Sequence, residues 1–369
     1  MQFIDGRESM FTKKCIRFLA FLLLTFLPSC SSKTQKVPYD PRTPVIVSIN
    51  GKTLDKKEIE LIEKYRPVGV LLFERNCDNE DQVIKLTNHL KSLGLLVAID
   101  IEGRLVNRFN KFHPLKKNAV DFHKASLKEI YDYHFDIARY AKKLGVDIIF
   151  GPVTDVCNNP KFFIFQRCFS GNAERVSQCA ATVVKAYQDA GIFPVIKHVP
   201  GHGKALDSHL KLPTVFASKK ELHDCDIAAP KAVIRSLIME NRPLPGGMTA
   251  HVIYKNIDPA FLGTLSGTII QKVIRSDIGM KDGIIFSDAM EMNALVNFLN
   301  KKGLATKKNY RSIALIKFLE AGGDIAILDS ISNLEINPEL LPQKNLHIMP
   351  KIRKILEETN RISNYSSNA

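Results

Sequence analysis

Gly69-Val70-Leu71-Leu72-Phe73, then Asp78-Asn79-Glu80-Asp81, then Leu95-Leu96-Val97-Ala98-Ile99 follow one another within residues 69–99. The two apolar runs are continuous. They lack the polar alternation of a half-exposed strand, so both of their faces must be buried. Between them, residues 79–93 carry helical spacing and open on a polar cluster suited to a helix start. Two doubly buried strands joined by a helix make a βαβ unit, the building block of parallel sheets covered by helices.

The same alternation extends in both directions. Further apolar runs lie at Val45-Ile46-Val47-Ser48-Ile49, Val146-Asp147-Ile148-Ile149-Phe150, Phe193-Pro194-Val195-Ile196, Gly247-Met248-Thr249-Ala250, Gly283-Ile284-Ile285-Phe286 and Asp324-Ile325-Ala326-Ile327-Leu328. Helical stretches fall around 55–65, 124–143, 172–190, 218–238, 267–278, 308–321 and 347–361, and Gly145 and Gly191 stand where a helix should end. Eight strands joined by right-handed crossovers close on themselves, so the expected fold is α/β, a single (β/α)8 TIM barrel over residues 44–362. The competing open, doubly wound sheet wants a glycine-rich turn after the first strand, which Asn50-Gly51-Lys52 does not supply.

Of the 369 residues, 45% are hydrophobic and 24% charged, which excludes collagen-like, low-complexity and disordered chains. Lys+Arg 52 against Asp+Glu 38 leaves a net charge of +14. With no Trp and 8% aromatics there is little material for a nucleic-acid stacking platform, so no nucleic-acid partner is expected. Before the barrel, Lys13, Lys14 and Arg17 precede the apolar run Phe18 to Leu27. A ten-residue helix rises about 15 Å, half a bilayer core, so residues 1–29 read as a signal peptide, with Met10 as an alternative true start. Leu27-Pro28-Ser29-Cys30 looks like a bacterial lipobox, which makes Cys30 the expected lipidation site and 30–43 a tether. The expected location is therefore the cell envelope, held to a membrane by a lipid anchor, with a flexible tail at 363–369. Residues 1–29 hold four cations and two acids, so the mature chain keeps about +12 of the charge. The remaining five cysteines show no CxxC spacing and read as free thiols and small core residues.

A barrel builds its active site at the C-terminal ends of its strands. Polar residues collect there: Asp100, Glu102 and Arg104 to Arg108 after strand three, Asp155 after four, Lys197-His198 after five, His251 after six and Asp288 after seven. The richest segment runs from Lys197 to Pro213 and holds His198, His202 and His209 among glycines. Three histidines suggest a metal, but the cysteines lie elsewhere and strand one carries no His-x-His, so neither a metal nor another cofactor is expected. Asp207 and His209, two apart, instead suit acid/base work, with the carboxylate fixing the imidazole's tautomer and raising its pKa.

Lys197-His198-Val199-Pro200-Gly201-His202-Gly203, followed by Asp207-Ser208-His209 and Leu212-Pro213, closely resembles the K-H-F-P-G-H-G-x-x-x-x-D-S-H-x-x-L-P signature of glycoside hydrolase family 3 β-N-acetylglucosaminidases of the peptidoglycan-recycling type. Asp100-Ile101-Glu102-Gly103-Arg104 through Phe109 resembles D-x-E-G-G-x-V-x-R-F. Gly151-Pro152-Val153-Thr154-Asp155-Val156 is similar to A-P-V-x-D-V, Ala250-His251-Val252-Ile253-Tyr254 to A-H-V-x-Y, and Phe286-Ser287-Asp288 to the start of the family's nucleophile stretch. The resemblance implies a retaining exo-β-N-acetylglucosaminidase with Asp288 as nucleophile and His209 as general acid/base oriented by Asp207. It further implies that Asp100, Arg108, Arg167, Lys197 and His198 hold the terminal N-acetylglucosamine, and that peptidoglycan fragments or muropeptides are the partner of a monomer.

Several details carry separate expectations. Asp155 and Asn172 read as loop caps and His202 as a residue shaping the loop, while His251 either packs near the sugar or satisfies the barrel rim. Gly201 and Gly203 would let the loop swing so that His209 arrives when sugar is bound. The family's second glycine is Arg104 here. If that position needs positive φ, the subsite is reshaped, and a catalytically degenerate barrel that binds muropeptide or cell wall is the alternative reading.

Overall fold

The computed structural model describes residues 41–205, 212–306, 308–333 and 335–366. The expected signal, most of the tether with Cys30, and the Asp207–His209 pair lie outside the described residues.

All eight expected strands form. They are β1 (Thr43–Val47), β2 (Pro67–Leu72), β3 (Leu96–Ile99), β4 (Ile148–Val153), β5 (Phe193–Val199), β6 (Gly246–Thr249), β7 (Ile285–Ala289) and β8 (Ile325–Leu328). Each pairs in parallel with its neighbours, and β1 meets both β2 and β8, closing the barrel. Continuous hydrophobicity is explained by two cores. Ile46, Ala98, Phe150, Val195, Met248, Phe286 and Ile327 point into the barrel, with Phe150 set edge-on to Phe286 at 5.7 Å between centroids. Alternate residues such as Val45, Val47, Val97, Ile149 and Ile285 face the surrounding helices.

The longer helices are α1 (Lys56–Tyr65), α2 (Glu80–Ser92), α3 (Leu127–Lys143), α4 (Ala173–Asp189), α5 (Ala228–Met239), α6 (Thr268–Asp277, wound as a π-helix), α7 (Asn293–Lys301), α8 (Tyr310–Ala321) and α9 (Ile348–Ser366). Asn79 caps α2 by accepting from Gln82 N at 3.0 Å, within the polar cluster that announced the helix. Asn172 caps α4 in the same way, as expected of it. Gly145 and Gly191 take left-handed φ of 86° and 75° beyond α3 and α4. Two features depart from expectation. The helix α7 intervenes between β7 and α8, and α9 runs on to Ser366, past the expected boundary at 362. The latter also has a second task. Ile348, Met349 and Ile352 join the core inside the barrel and plug it at the end opposite the catalytic rim.

On the rim, Thr214–Val215 and Ile253–Tyr254 form a short parallel ladder. It pins the chain just beyond the Asp207–His209 segment, with Ile253 N donating to Pro213 O at 3.0 Å.

Candidate active site

Asp100, Arg108, Arg167, Lys197, His198 and Asp288, proposed from sequence on four separate segments, line one cavity of about 360 Å³ at the C-terminal mouth of the barrel. Its floor is apolar, with Leu71, Phe150, Met248 and Ile327. Its walls are charged.

Asp100 and Glu102 leave the end of β3 as a pair of carboxylates shared among three cations. Lys197 Nζ, projecting from β5, donates to Asp100 Oδ1 at 2.7 Å and lies 2.5 Å from Glu102 Oε1. Arg108 Nη2 donates to Asp100 Oδ2 at 3.0 Å. Arg167 grips Glu102 with two bonds, Nε to Oε2 at 2.6 Å and Nη2 to Oε1 at 2.9 Å, the forked geometry that makes guanidinium–carboxylate pairs specific. Burial alone would raise both acids. The nearby cations outweigh it, so Asp100 sits well below the usual carboxylate range, and Glu102 falls to about 2, through Arg167 and then Lys197. Lys197 would be stripped of its proton by burial, but Asp100 and Glu102 hold it above its ordinary value. The result is a rigid polar plate able to read hydroxyl groups without rearranging.

The β3 loop turns at Gly103, whose φ is +156° and where a Cβ would come within 2.8 Å of Lys117 O. Arg104 is not among the residues with positive φ, its side chain is exposed, and its N donates to Lys117 O at 2.9 Å. The departure from the family's second glycine is therefore accommodated without backbone strain.

Asp155 is the loop cap expected of it and does more. It is fully buried, accepts His202 N at 2.5 Å and His198 N at 3.3 Å from the loop after β5, and also accepts His198 Nδ1–H at 2.7 Å. Burial would raise its pKa, but His198 outweighs that and keeps it ionised. An ionised acceptor at Nδ1 fixes the proton there and turns Nε2 of His198 toward the pocket, 3.9 Å from Asp288 Oδ2. His202 lines the pocket as well, beyond the loop-shaping part expected of it. Burial, then the His198 charge, brings its pKa down to about 4, so it stands there neutral.

Asp288 ends β7. Ala289 N donates to its Oδ1 at 2.8 Å, while Ser287 Oγ accepts from Ile327 N at 3.0 Å and locks the strand end to β8. Burial raises the carboxyl, and His198 and then His251 more than offset it, so Asp288 is held below its usual range. His251 serves the rim rather than the cavity: its Nε2 donates to Ala289 O at 2.9 Å and its Nδ1 lies 2.9 Å from Thr264 Oγ1. An ionised, anchored carboxylate with one open side, facing a plate that can hold hydroxyls, is equipped for nucleophilic attack on a sugar.

Gly201 and Gly203 are closely packed. A Cβ on Gly203 would lie 2.0 Å from Val156 O, one on Gly201 2.6 Å from Asp226 Cβ, and Tyr254 OH holds Gly201 O at 2.7 Å. These glycines permit close packing of the first part of the loop.

Residues 43–357 match the N-terminal domain of glycosyl hydrolase family 3. The chain belongs to that family. It is similar to a β-hexosaminidase of Shewanella frigidimarina, at 32% identity over 297 residues that cover 77% of this chain and 81% of the other. A β-hexosaminidase of Alkalilimnicola ehrlichii is 36% identical over 262 residues, covering 68% and 73%. Among solved structures, native NagZ from Neisseria gonorrhoeae superposes with a TM-score of 0.68 at 26% identity, over 90% of this chain and 99% of that one. A family 3 β-N-acetylglucosaminidase from Paenibacillus sp. str. FPU-7 gives 0.69 and 26%, over 88% and 61%. This family 3 chain is a glycoside hydrolase, and its barrel carries the charged mouth just described.

Two acidic residues of the pocket in this family 3 barrel received no binding or catalytic role from sequence: Glu102, noted only as part of the polar cluster after strand three, and Asp329. The signal for Glu102 was present: an acid two places from Asp100 at the end of a barrel strand, with arginines following. Asp329 directly follows β8, where no polar cluster drew attention to it.

Proposed function

We propose that this protein is a retaining exo-β-N-acetylglucosaminidase that releases terminal β-linked N-acetylglucosamine from peptidoglycan fragments. Asp288 attacks the anomeric carbon. His209, oriented by Asp207, protonates the leaving oxygen and then activates the water that opens the covalent glycosyl-enzyme. A histidine with an ordinary pKa of about 6.5 can give and retake a proton near neutrality without heavy burial, and adds no second anion beside a carboxylate-bearing substrate. Asp100, Arg108 and Lys197 are in place to hold the ring's hydroxyls, and Arg167 acts mainly by bracing Glu102. The observation that carries the reading is the ionised Asp288 facing that plate in one closed-bottomed cavity.

Turnover of p-nitrophenyl β-N-acetylglucosaminide tests it: activity should vanish in Asp288→Ala, together with covalent labelling by a 2-fluoro glycoside. Turnover equal to that of the variant sinks the activity. Mass spectrometry of muropeptides before and after incubation should show loss of one N-acetylhexosamine, and an unchanged spectrum removes the proposed substrate.

The protein is further proposed to sit in the cell envelope, lipid-anchored through Cys30, with its net positive charge favouring approach to an acidic wall over distances of about 8 Å at physiological salt. Supporting this are the basic, then apolar, then Leu-Pro-Ser-Cys order of residues 13–30. Cys30→Ser should release the protein from the membrane fraction; unchanged sedimentation with membranes would refute the anchor.

A further inference from the structure

Phe163 is out of character with the pocket it borders. It lines the cavity, yet its side chain is 51% exposed, whereas Phe150 on the floor is fully buried. The guanidinium carbon of Arg167 lies 5.4 Å from the Phe163 ring centroid, and Arg167 is itself clamped by Glu102. The ring is thus backed by a charge that cannot move away. Asn118 ties the neighbouring loop to the same wall, accepting from Leu105 N at 2.9 Å and donating to Gln166 Oε1 at 3.3 Å. Leu105 adds a second exposed apolar side chain on that loop.

The cavity below, about 360 Å³ and charged on its walls, is at the small end for a ligand site and suits one polar ring. A longer substrate must then cross the mouth, where Phe163 offers the apolar surface. A pyranose ring has a face of C–H bonds that packs on such a surface, and a preset aromatic loses little entropy on binding. We infer that Phe163 is the platform for the leaving-group side of the substrate, lying against the apolar face of the sugar next to the bond that is cut. This rests on the glycosidase reading above and adds to it a residue that selects for a second sugar.

The test compares two substrates that share the sugar in the pocket, N,N′-diacetylchitobiose and N-acetyl-β-D-glucosaminyl fluoride, whose leaving group has no ring. Phe163→Ala should lower kcat/KM for the disaccharide about tenfold more than for the fluoride, chiefly through KM, and Phe163→Tyr should restore the ratio. Equal losses on both substrates would assign the ring to the pocket sugar or to Arg167 and overturn the inference. Unchanged kinetics on both would overturn it too. Absence of turnover by the unmodified protein is a separate failure, visible before any variant is made, and removes the glycosidase reading together with this one.

Discussion

Three residues beyond Asp288, Glu291 is an acid with a different electrostatic fate. Its oxygens accept from Arg311 Nε and Asp329 N, each at 2.9 Å. Burial and then the Asp329 charge raise it from 4.5 to about 7, Arg311 notwithstanding. Between about pH 4.5 and 7 the folded protein therefore holds a proton that the unfolded chain releases, and the contribution to stability is lost as pH rises through that window. Glu291→Gln should remove that slope, so the Tm difference between variant and parent becomes more positive at pH 8 than at pH 5. An identical difference at both values would refute the assignment. Glu102 has the opposite sign: lowered from 4.5 to about 2, it contributes fully above pH 4.5 and ceases to as pH falls toward 2. At this scale the sequence was legible where a titratable residue follows a strand and opens onto the cavity, as with Asp100, Lys197 and Asp288. It was less legible for Asp155, because an acid at a strand end reads the same whether it meets solvent, a ligand or a histidine that meets the ligand.

Among elements, the strands were the most legible because burial on both faces leaves short continuous apolar runs that recur between helical stretches. Helix α7 was hidden by its length. Nine residues between the Asp288 turn and α8 give barely two apolar repeats, too few for periodicity to stand out. The connection after β5 was legible in its residues but not in its mechanics. Glycine in a loop suggests freedom, whereas Gly203 is packed so closely that a Cβ there would meet the carbonyl oxygen of Val156 at 2.0 Å, and Lys204 Nζ reaches Asp226 Oδ2 at 2.9 Å beside it. With Pro213 to Val215 tied to Ile253 and Lys255, both stems of the Asp207–His209 segment are anchored. Gly203→Ala should cost at least tenfold in kcat, or several degrees of Tm, because backbone atoms at 2.0 Å have no rotamer by which to yield. Wild-type kinetics and stability in that variant would show that the contact relaxes freely.

For the whole molecule, the barrel depends on its last helix in a way that strand counting does not reveal. Ile352 is fully buried, and with Ile348 and Met349 it fills the end of the barrel interior. Ile352→Ala should destabilise the protein by about 2–5 kcal/mol, the usual cost of truncating a large aliphatic side chain in a packed core, read as a lower denaturation midpoint. A change under about 0.5 kcal/mol would mean that α9 only rests on the barrel. The plug also has a kinetic meaning. Among the described residues the floor is closed, so a sugar ring seated against Asp288 as proposed would enter and leave by the same side, with whatever is joined to it trailing through the mouth. The trailing part must depart before the seated ring does, and the next chain end cannot enter until both have gone. Under the proposed exo-glycosidase reading, this would confine the site to chain ends, one unit per visit, and the freed sugar would compete directly with fresh substrate for the same seat.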